Sequence, residues 1–433
     1  MKPTIVKWPN RERQDPVAAF LQRPAFDEKA EEAAQKILAD IRENGDSAVV
    51  QYAKRFDGVS LAPEDMLVQK SELAEGREAV DRKHRVAVRE AHKRIEAFAR
   101  AGMKKDWRMS TPRGGELGEQ FGPFDRVGVY VPGGVAPLVS TALMTVTLAR
   151  VAGVPEVVAC TPCGKDRLVN PAMLNALEMA GATEIYRVGG VQAIGMMAYG
   201  TETCRKVQKI VGPGGTYVTA AKRLVYGEVA LDLVAGPSEI AVLADDTATA
   251  RYVAADLLSQ AEHGTGFEKA LLVTPSGRLA EDVQQEVEQQ VVKLNRREAI
   301  ERMMPEGMLL VVVNNLDEGM ELVNRFAPEH LEIMVREPKT WLMKVRSVGA
   351  VFVGSWSPEA AGDFVAGPSH VLPTGGAAAR FSGLSVDDFR RRSSFIAFTR
   401  ADLFDVLPVI ESFGEMEGLD AHSRSARVRF DNR

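Results

Sequence analysis

The chain has 433 residues, a length that suits two or three domains, and its 45% apolar and 26% charged content supports a sizeable globular core. A net charge of −5 excludes the clustered basic excess of a nucleic-acid-binding surface, and no apolar run is long enough to span a bilayer. Three cysteines cannot build a disulfide framework, and the opening residues lack a leader-like apolar stretch, so a cytoplasmic protein is expected.

The first hundred residues read as helical. Asp27 caps a helix over 27–43, Asn44-Gly45 stops it, and Asp46 caps the next. A longer helix over 78–100 carries Val88, Ala91, Ile95 and Phe98 at spacings of three and four, which gives one packing face. His84 and His92 lie on that helix among Arg and Lys and read as surface residues. From residue 126 short apolar runs alternate with helices. Strands are expected over 126–131, 156–161, 184–188 and 208–211, with helices over 137–151, 171–180, 191–199 and 217–225. A second series places strands at 239–243, 270–274, 308–313, 331–335 and 350–353. This rhythm predicts an α/β fold of two similar, incomplete Rossmann-like lobes with parallel sheets. The expected organisation is a mainly helical region over 1–125, a first lobe over 126–238 and a second over 239–384. A small extended tail over 385–433 follows, ending in a strand-like 426–430 that packs elsewhere, since it has too few apolar residues for its own core.

Three glycine-rich turns each follow a strand and lead into a helix: Tyr130-Val131-Pro132-Gly133-Gly134, Gly189-Gly190-Val191-Gln192 and Gly212-Pro213-Gly214-Gly215. In a parallel sheet such turns collect at the carboxyl edge, where helix N-termini offer free N–H groups, and together they predict a dinucleotide cleft. Asp125 and Asp232 are open as ribose partners. Cys160-Thr161-Pro162-Cys163 sits at a strand end and reads as structural rather than redox.

Four of the six histidines lie in the last 171 residues, each close to a carboxylate or amide: Gln260 with His263, Glu329 with His330, Asp363 with His370, and Glu417 with His422. Gln260 and His263 are three apart at a helix end and share a face. Asp363 and His370 flank a glycine-proline loop, and a Gln, His, Asp, His set suits Zn²⁺ or a similar ion. Glu329-His330, at a strand start, differs in kind and can supply two proton acceptors. The competing reading of each is a helix-end or loop histidine beside a solvated acid.

These residues also form ordered motifs: Ala235-Gly236-Pro237-Ser238-Glu239, Leu258-Ser259-Gln260-Ala261-Glu262-His263, Asn324 with Pro328-Glu329-His330-Leu331, Gly362-Asp363-Phe364 with His370-Val371-Leu372-Pro373-Thr374, and Glu417-Gly418-Leu419-Asp420-Ala421-His422. In this order they resemble the motifs of the L-histidinol dehydrogenase family, over nearly the whole chain. The resemblance implies a Zn²⁺- and NAD⁺-dependent oxidation of L-histidinol through L-histidinaldehyde to L-histidine, the last step of histidine biosynthesis. It implies Gln260, His263, Asp363 and His422 as metal ligands and Glu329 and His330 as catalytic residues. Ser238, His370 and Glu417 match substrate-contacting positions, joined there by Gln260, His263, Glu329, Asp363 and His422. Tyr130, Gln192 and Gly215 match cofactor positions. A homodimer whose tails exchange is also implied, so that Glu417 and His422 complete the partner's site. Gly215 and Ser369 stand where that family commonly has asparagine. Alternatives are a related dehydrogenase acting on another polar primary alcohol, a zinc hydrolase with Glu329 as base, and a metal-binding scaffold without catalysis.

Overall fold

The computed structural model describes residues 2–9, 15–23, 27–133, 137–233 and 236–431. Gly134 of the first glycine turn and Ala235 of the 235–239 motif lie outside the described residues. Its strands, in chain order, are β1 (Thr4–Lys7), β2 (Trp107–Ser110), β3 (Glu116–Pro123), β4 (Arg126–Tyr130), β5 (Glu156–Cys160), β6 (Glu184–Tyr186), β7 (Lys209–Val211), β8 (Ala230–Leu231), β9 (Glu239–Ala244), β10 (Lys269–Thr274), β11 (Met308–Val312), β12 (His330–Met334), β13 (Ala350–Val353) and β14 (Arg390–Ala397). The chain divides into two compact units, Met1–Gly102 with Asp125–Phe389, and Met103–Phe124 with Arg390–Arg433.

The first unit holds two parallel sheets. One runs β6-β5-β4-β7-β8 and the other β1-β11-β10-β9-β12-β13. Their central strands are apolar on both faces, as in Val127, Val129, Val158 and Ile210, or Ile240, Val242, Leu272 and Leu310, because helices cover both sides. Helices Glu28–Tyr52, Gly190–Tyr199 and Thr216–Leu224 send Leu38, Ile41, Ile194 and Val218 into the core of the first sheet. Helices Ala250–Ala261, Gly277–Val291 and Arg297–Gly307 cover one face of the second; Leu316–Phe326 covers the other. Both lobes reverse at the same place. The chain lays β5 and β6 on one side of β4 and then β7 on the other; it lays β10 and β11 on one side of β9 and then β12 on the other. The two α/β lobes expected from the sequence are therefore present.

Several elements differ from expectation. The helix read over 78–100 is two helices, Lys70–Ala79 and Arg82–Gly102, broken around the extended Val80. Its apolar stripe passes from Ile95 to Ala99, four residues on, and leaves Phe98 exposed. Gly45, at φ 52, kinks helix Glu28–Tyr52 as the Asn44-Gly45 stop implied. Asp46 does not cap the next turn; its carboxylate accepts from the backbone N–H and hydroxyl of Thr203, at 2.9 and 3.0 Å. In the second unit β3 lies between β2 and β14 in an antiparallel sheet. Residues 426–430 are not a strand. They close helix Asp420–Arg427, which follows helix Arg400–Glu417, and Phe430 meets Phe404 edge-on at 5.5 Å. Five alternating residues cannot by themselves outweigh such packing.

Candidate active site

The carboxyl edge of the first lobe carries the glycine turns. Residues 131–133 follow β4 and 212–215 follow β7, so these two turns flank the point where strand order reverses, the usual crevice of a doubly wound sheet. Gly212 sits at φ 111, and a Cβ there would fall 2.1 Å from the backbone oxygen of Tyr130, so only glycine lets the two strands' ends approach. Asp232 and Lys222 fix this peptide: Gly212 N–H donates to the Asp232 carboxylate at 2.7 Å, and Lys222 Nζ donates to Gly212 O at 2.8 Å and to Asp232 at 2.5 Å. Asp232 is thus consumed by a buried ion pair. Asp125 precedes β4 at the opposite, amino edge and pairs with the Gln208 amide at 3.0 Å. Neither is free to read a ribose. Tyr130 is buried, and burial lifts its phenol to about 12; its oxygen accepts from Gly190 N–H at 3.2 Å. Gln192 is buried in helix Gly190–Tyr199 and donates through Nε2 to Asp57 at 3.0 Å. Gly215 caps helix Thr216–Leu224 and faces open space.

The second lobe gathers its chemistry at the amino edge. Helix Leu316–Phe326 ends at Ala327 in the left-handed region, φ 48, which turns the chain through Pro328 into Glu329-His330 at the head of β12. Gly349 backs onto this point, where a Cβ would lie 2.5 Å from Glu329 O. Helix Ala250–Ala261 runs back from the far end of β9 and so delivers Gln260, with His263 just past its end, to the same edge. His330 Nδ1 lies 3.1 Å from Gln260 Oε1, and His330 Nε2 lies 3.7 Å from Asp363 Oδ1. Gln260 Oε1 can only accept, so Nδ1 carries the proton and Nε2 is the basic atom. Burial draws the imidazole down to about 4, which keeps it neutral near pH 7. Glu329 is also buried; loss of solvation first, then the nearby Asp363 charge, push its carboxyl well above the usual range. Its Oε2 accepts from Glu239 N–H at 3.1 Å.

Behind this pair lies an acidic cluster that the sequence reading missed. Glu359 Oε1 stands 3.7 Å from His330 Nδ1, and its other oxygen accepts from Ser259 at 2.7 Å. Glu359 N–H donates to Glu332 at 2.8 Å, and Glu332 in turn faces Asp256. Burial raises all three carboxyls, Asp256 to about 6 and Glu359 to about 8. Glu359 and Asp363 are four residues apart on helix Glu359–Phe364, a same-face spacing that was available as a signal.

Asp363 O accepts from His370 Nδ1 at 2.8 Å, and His370 Nε2 reaches Thr141 of the first lobe at 3.0 Å. Thr141 had no sequence signal. Ser238 is half-buried immediately before β9, and Ser369 accepts from Val371 N–H at 3.2 Å. Glu417 ends one helix of the second unit and His422 lies in the next, both exposed there. Cys160 is fully buried with its thiol pushed up, as a structural cysteine should be. His330, Asp363 and His370 line a cavity of about 620 Å³ with an apolar wall that includes Phe98, Leu148 and Phe352.

Donor atoms of His263, Glu359 and Asp363 all lie within 4.8 Å of one another. Gln260 Nε2 and His330 Nε2 are buried without a hydrogen-bond partner; of the two only the imidazole nitrogen has a lone pair to offer a cation, and Gln260 would ligate through Oε1. Clustered N/O donors beside unsatisfied buried polar atoms fit a borderline divalent ion such as zinc. The turn-flanked crevice of the first lobe fits a dinucleotide.

The sequence model described as histidinol dehydrogenase matches residues 21–430. A histidinol dehydrogenase from Synechococcus sp. is 45% identical over 399 residues, 92% of each chain. One from Geobacillus kaustophilus is 44% identical over 404 residues, 93% of this chain and 95% of that one. The crystal structure of histidinol dehydrogenase from Elizabethkingia anophelis superposes with a TM-score of 0.94 at 34% identity, covering 99% of this chain and 98% of that one. Fold and relatives together define an oxidoreductase built on two α/β lobes. The chain belongs to the histidinol dehydrogenase family. No helix among the described residues is long and apolar enough to cross a membrane.

Proposed function

We propose that this chain oxidises L-histidinol through L-histidinaldehyde to L-histidine with two NAD⁺ and one Zn²⁺ per subunit, closing histidine biosynthesis in the cytoplasm. The observation that carries the reading is the buried Glu329-His330 pair, whose free Nε2 faces Asp363 beside Gln260 and His263. Gln260, His263 and Asp363 would hold the metal, with His422 supplied by the tail of a partner protomer in a homodimer. Bound zinc would hold the imidazole and amino nitrogens of the substrate, and NAD⁺ would accept one hydride in each oxidation.

His330 takes the alcohol proton at Nε2 in the first oxidation, since Nδ1 is committed to Gln260. Glu329 takes a proton from the water that attacks the aldehyde, its carboxylate held by Glu239 N–H. Burial and the Asp363 charge both oppose its ionisation, and a cation beside Asp363 removes the second of these. Ser238, His370 and Glu417 would contact the substrate, and Tyr130, Gln192 and Gly215 the cofactor, so the 126–238 lobe serves NAD⁺ and the 239–384 lobe the alcohol.

The test is to count NADH formed per histidinol consumed by zinc-loaded protein. Two NADH per alcohol, abolished by a chelator and restored by Zn²⁺, support the reading. Turnover of another polar primary alcohol, with none of histidinol, would move the substrate while keeping the site.

A further inference from the structure

Asp57 ends the short helical turn Ala53–Asp57, and Gly58 in the left-handed region then carries the chain away. This half-buried carboxylate lies far from the site residues in sequence, yet it faces Gln192 at the carboxyl edge of the first lobe. Among the described residues no Lys or Arg pairs with it; its recorded partner is Gln192 Nε2 at 3.0 Å. Burial raises its carboxyl, and the amide bond pulls it back.

An amide side chain can turn over and exchange its donor for its acceptor, but a carboxylate can only accept. Asp57 therefore holds Gln192 with Nε2 turned toward its carboxylate and leaves Oε1 as the acceptor the amide can present. Beside it, the Tyr130 oxygen already accepts from Gly190 N–H and has its own O–H to give. The edge thus offers one oriented acceptor and one oriented donor, a pairing that matches a ligand group holding both functions, such as a ribose diol or a carboxamide.

We infer that Asp57 is a positioning residue for the dinucleotide: it sets the amide orientation of Gln192 so that Oε1 accepts from an O–H or N–H of the cofactor. The inference rests on the cofactor reading above. Asp57→Asn tests it, because an asparagine can donate to Oε1 and stabilise the reversed amide. Asp57→Ala is the companion variant that merely releases it.

NADH binding, followed by calorimetry on the zinc-loaded protein, is expected to weaken about tenfold in Asp57→Asn. In turnover the KM for NAD⁺ rises while the KM for histidinol stays within about twofold. A double variant with Gln192→Ala binds no worse than Gln192→Ala alone, since the carboxylate acts only through that amide. Losses that multiply in the double variant, or unchanged NADH binding in both Asp57 variants, overturn the role of Asp57. A native chain that binds no NADH overturns the cofactor reading instead. A 3-acetylpyridine analogue, which lacks the carboxamide N–H, separates the two ligand groups. If the carboxamide is read, Asp57→Asn no longer prefers NAD⁺ over the analogue; if a ribose is read, both weaken equally.

Discussion

The two lobes share one plan and use opposite ends of it. Each is a doubly wound parallel sheet that reverses beside its first strand, β4 in one and β9 in the other. The first lobe keeps its glycine turns at the carboxyl edge, where backbone N–H groups and close approach are the resources. The second places Glu329, His330, Gln260 and Asp363 around its amino edge, where side chains are the resource. At the carboxyl edge of that second sheet Asp245 is spent on Thr247 and Arg336 N–H, which ties the segments after β9 and β12 together. Topology alone would have sent a search there. Strand reversal finds a crevice, but the ionisable groups decide which edge reacts.

Four variants would break or sharpen this contrast. The largest effect is expected at the amino edge, where His263→Ala should lose bound metal and reduce histidinol oxidation to background. Metal analysis alongside NADH formation checks it, and a variant that keeps both would remove this edge from the metal site. Next, Glu329→Gln should slow oxidation of supplied histidinaldehyde by on the order of 10²–10³-fold and the alcohol step much less. Equal slowing of both would erase the division between Glu329 and His330. At the carboxyl edge, Gly212→Ala forces a Cβ against Tyr130 O from a positive φ, so a stability loss of roughly 2–4 kcal/mol is expected, with a raised KM for NAD⁺. Denaturant melts and cofactor titration read the two parts.

The smallest effect concerns pH. Asp256 is raised by burial from 3.8 to about 6, so between those values the folded state holds more protons than the unfolded one and stability falls as pH rises. Its contribution is whole below about 3.8 and lost above about 6. Asp256→Asn should therefore stabilise the metal-free protein at pH 7 by roughly 1–2 kcal/mol, with the gain vanishing toward pH 4. Melting temperatures across that range test it; a gain that grows in acid would reverse the sign.

The strands of both lobes were legible because buried parallel strands are short, continuous apolar runs between turn signals, and the Glu329-His330 pair stood out as an ionisable pair at a strand head. What was not legible depended on distance in sequence. Thr4–Lys7 is four residues long and becomes a strand only by pairing with β11 some three hundred residues away. The alternation at 426–430 gave way to helix–helix packing. Thr141 and Asp57 carry ordinary side chains, and only the fold sets them against His370 and Gln192. Asp232 looked free in sequence because Lys222, its partner, lies on the preceding helix.

The antiparallel sheet of the second unit has a consequence for biogenesis. Strand β3 is made early, with β2 ready beside it, but its other edge pairs along its full length with β14. Apart from β1 and the amino-terminal helices, both parallel lobes are synthesised between those two strands. Throughout that interval the nascent chain carries an eight-residue strand with one row of N–H and C=O groups unanswered, a template for pairing with a neighbouring chain. Correct assembly of this unit therefore waits on the segment from Arg390 onward leaving the ribosome, and the waiting edge is where crowding among nascent chains on one message would first cause aggregation.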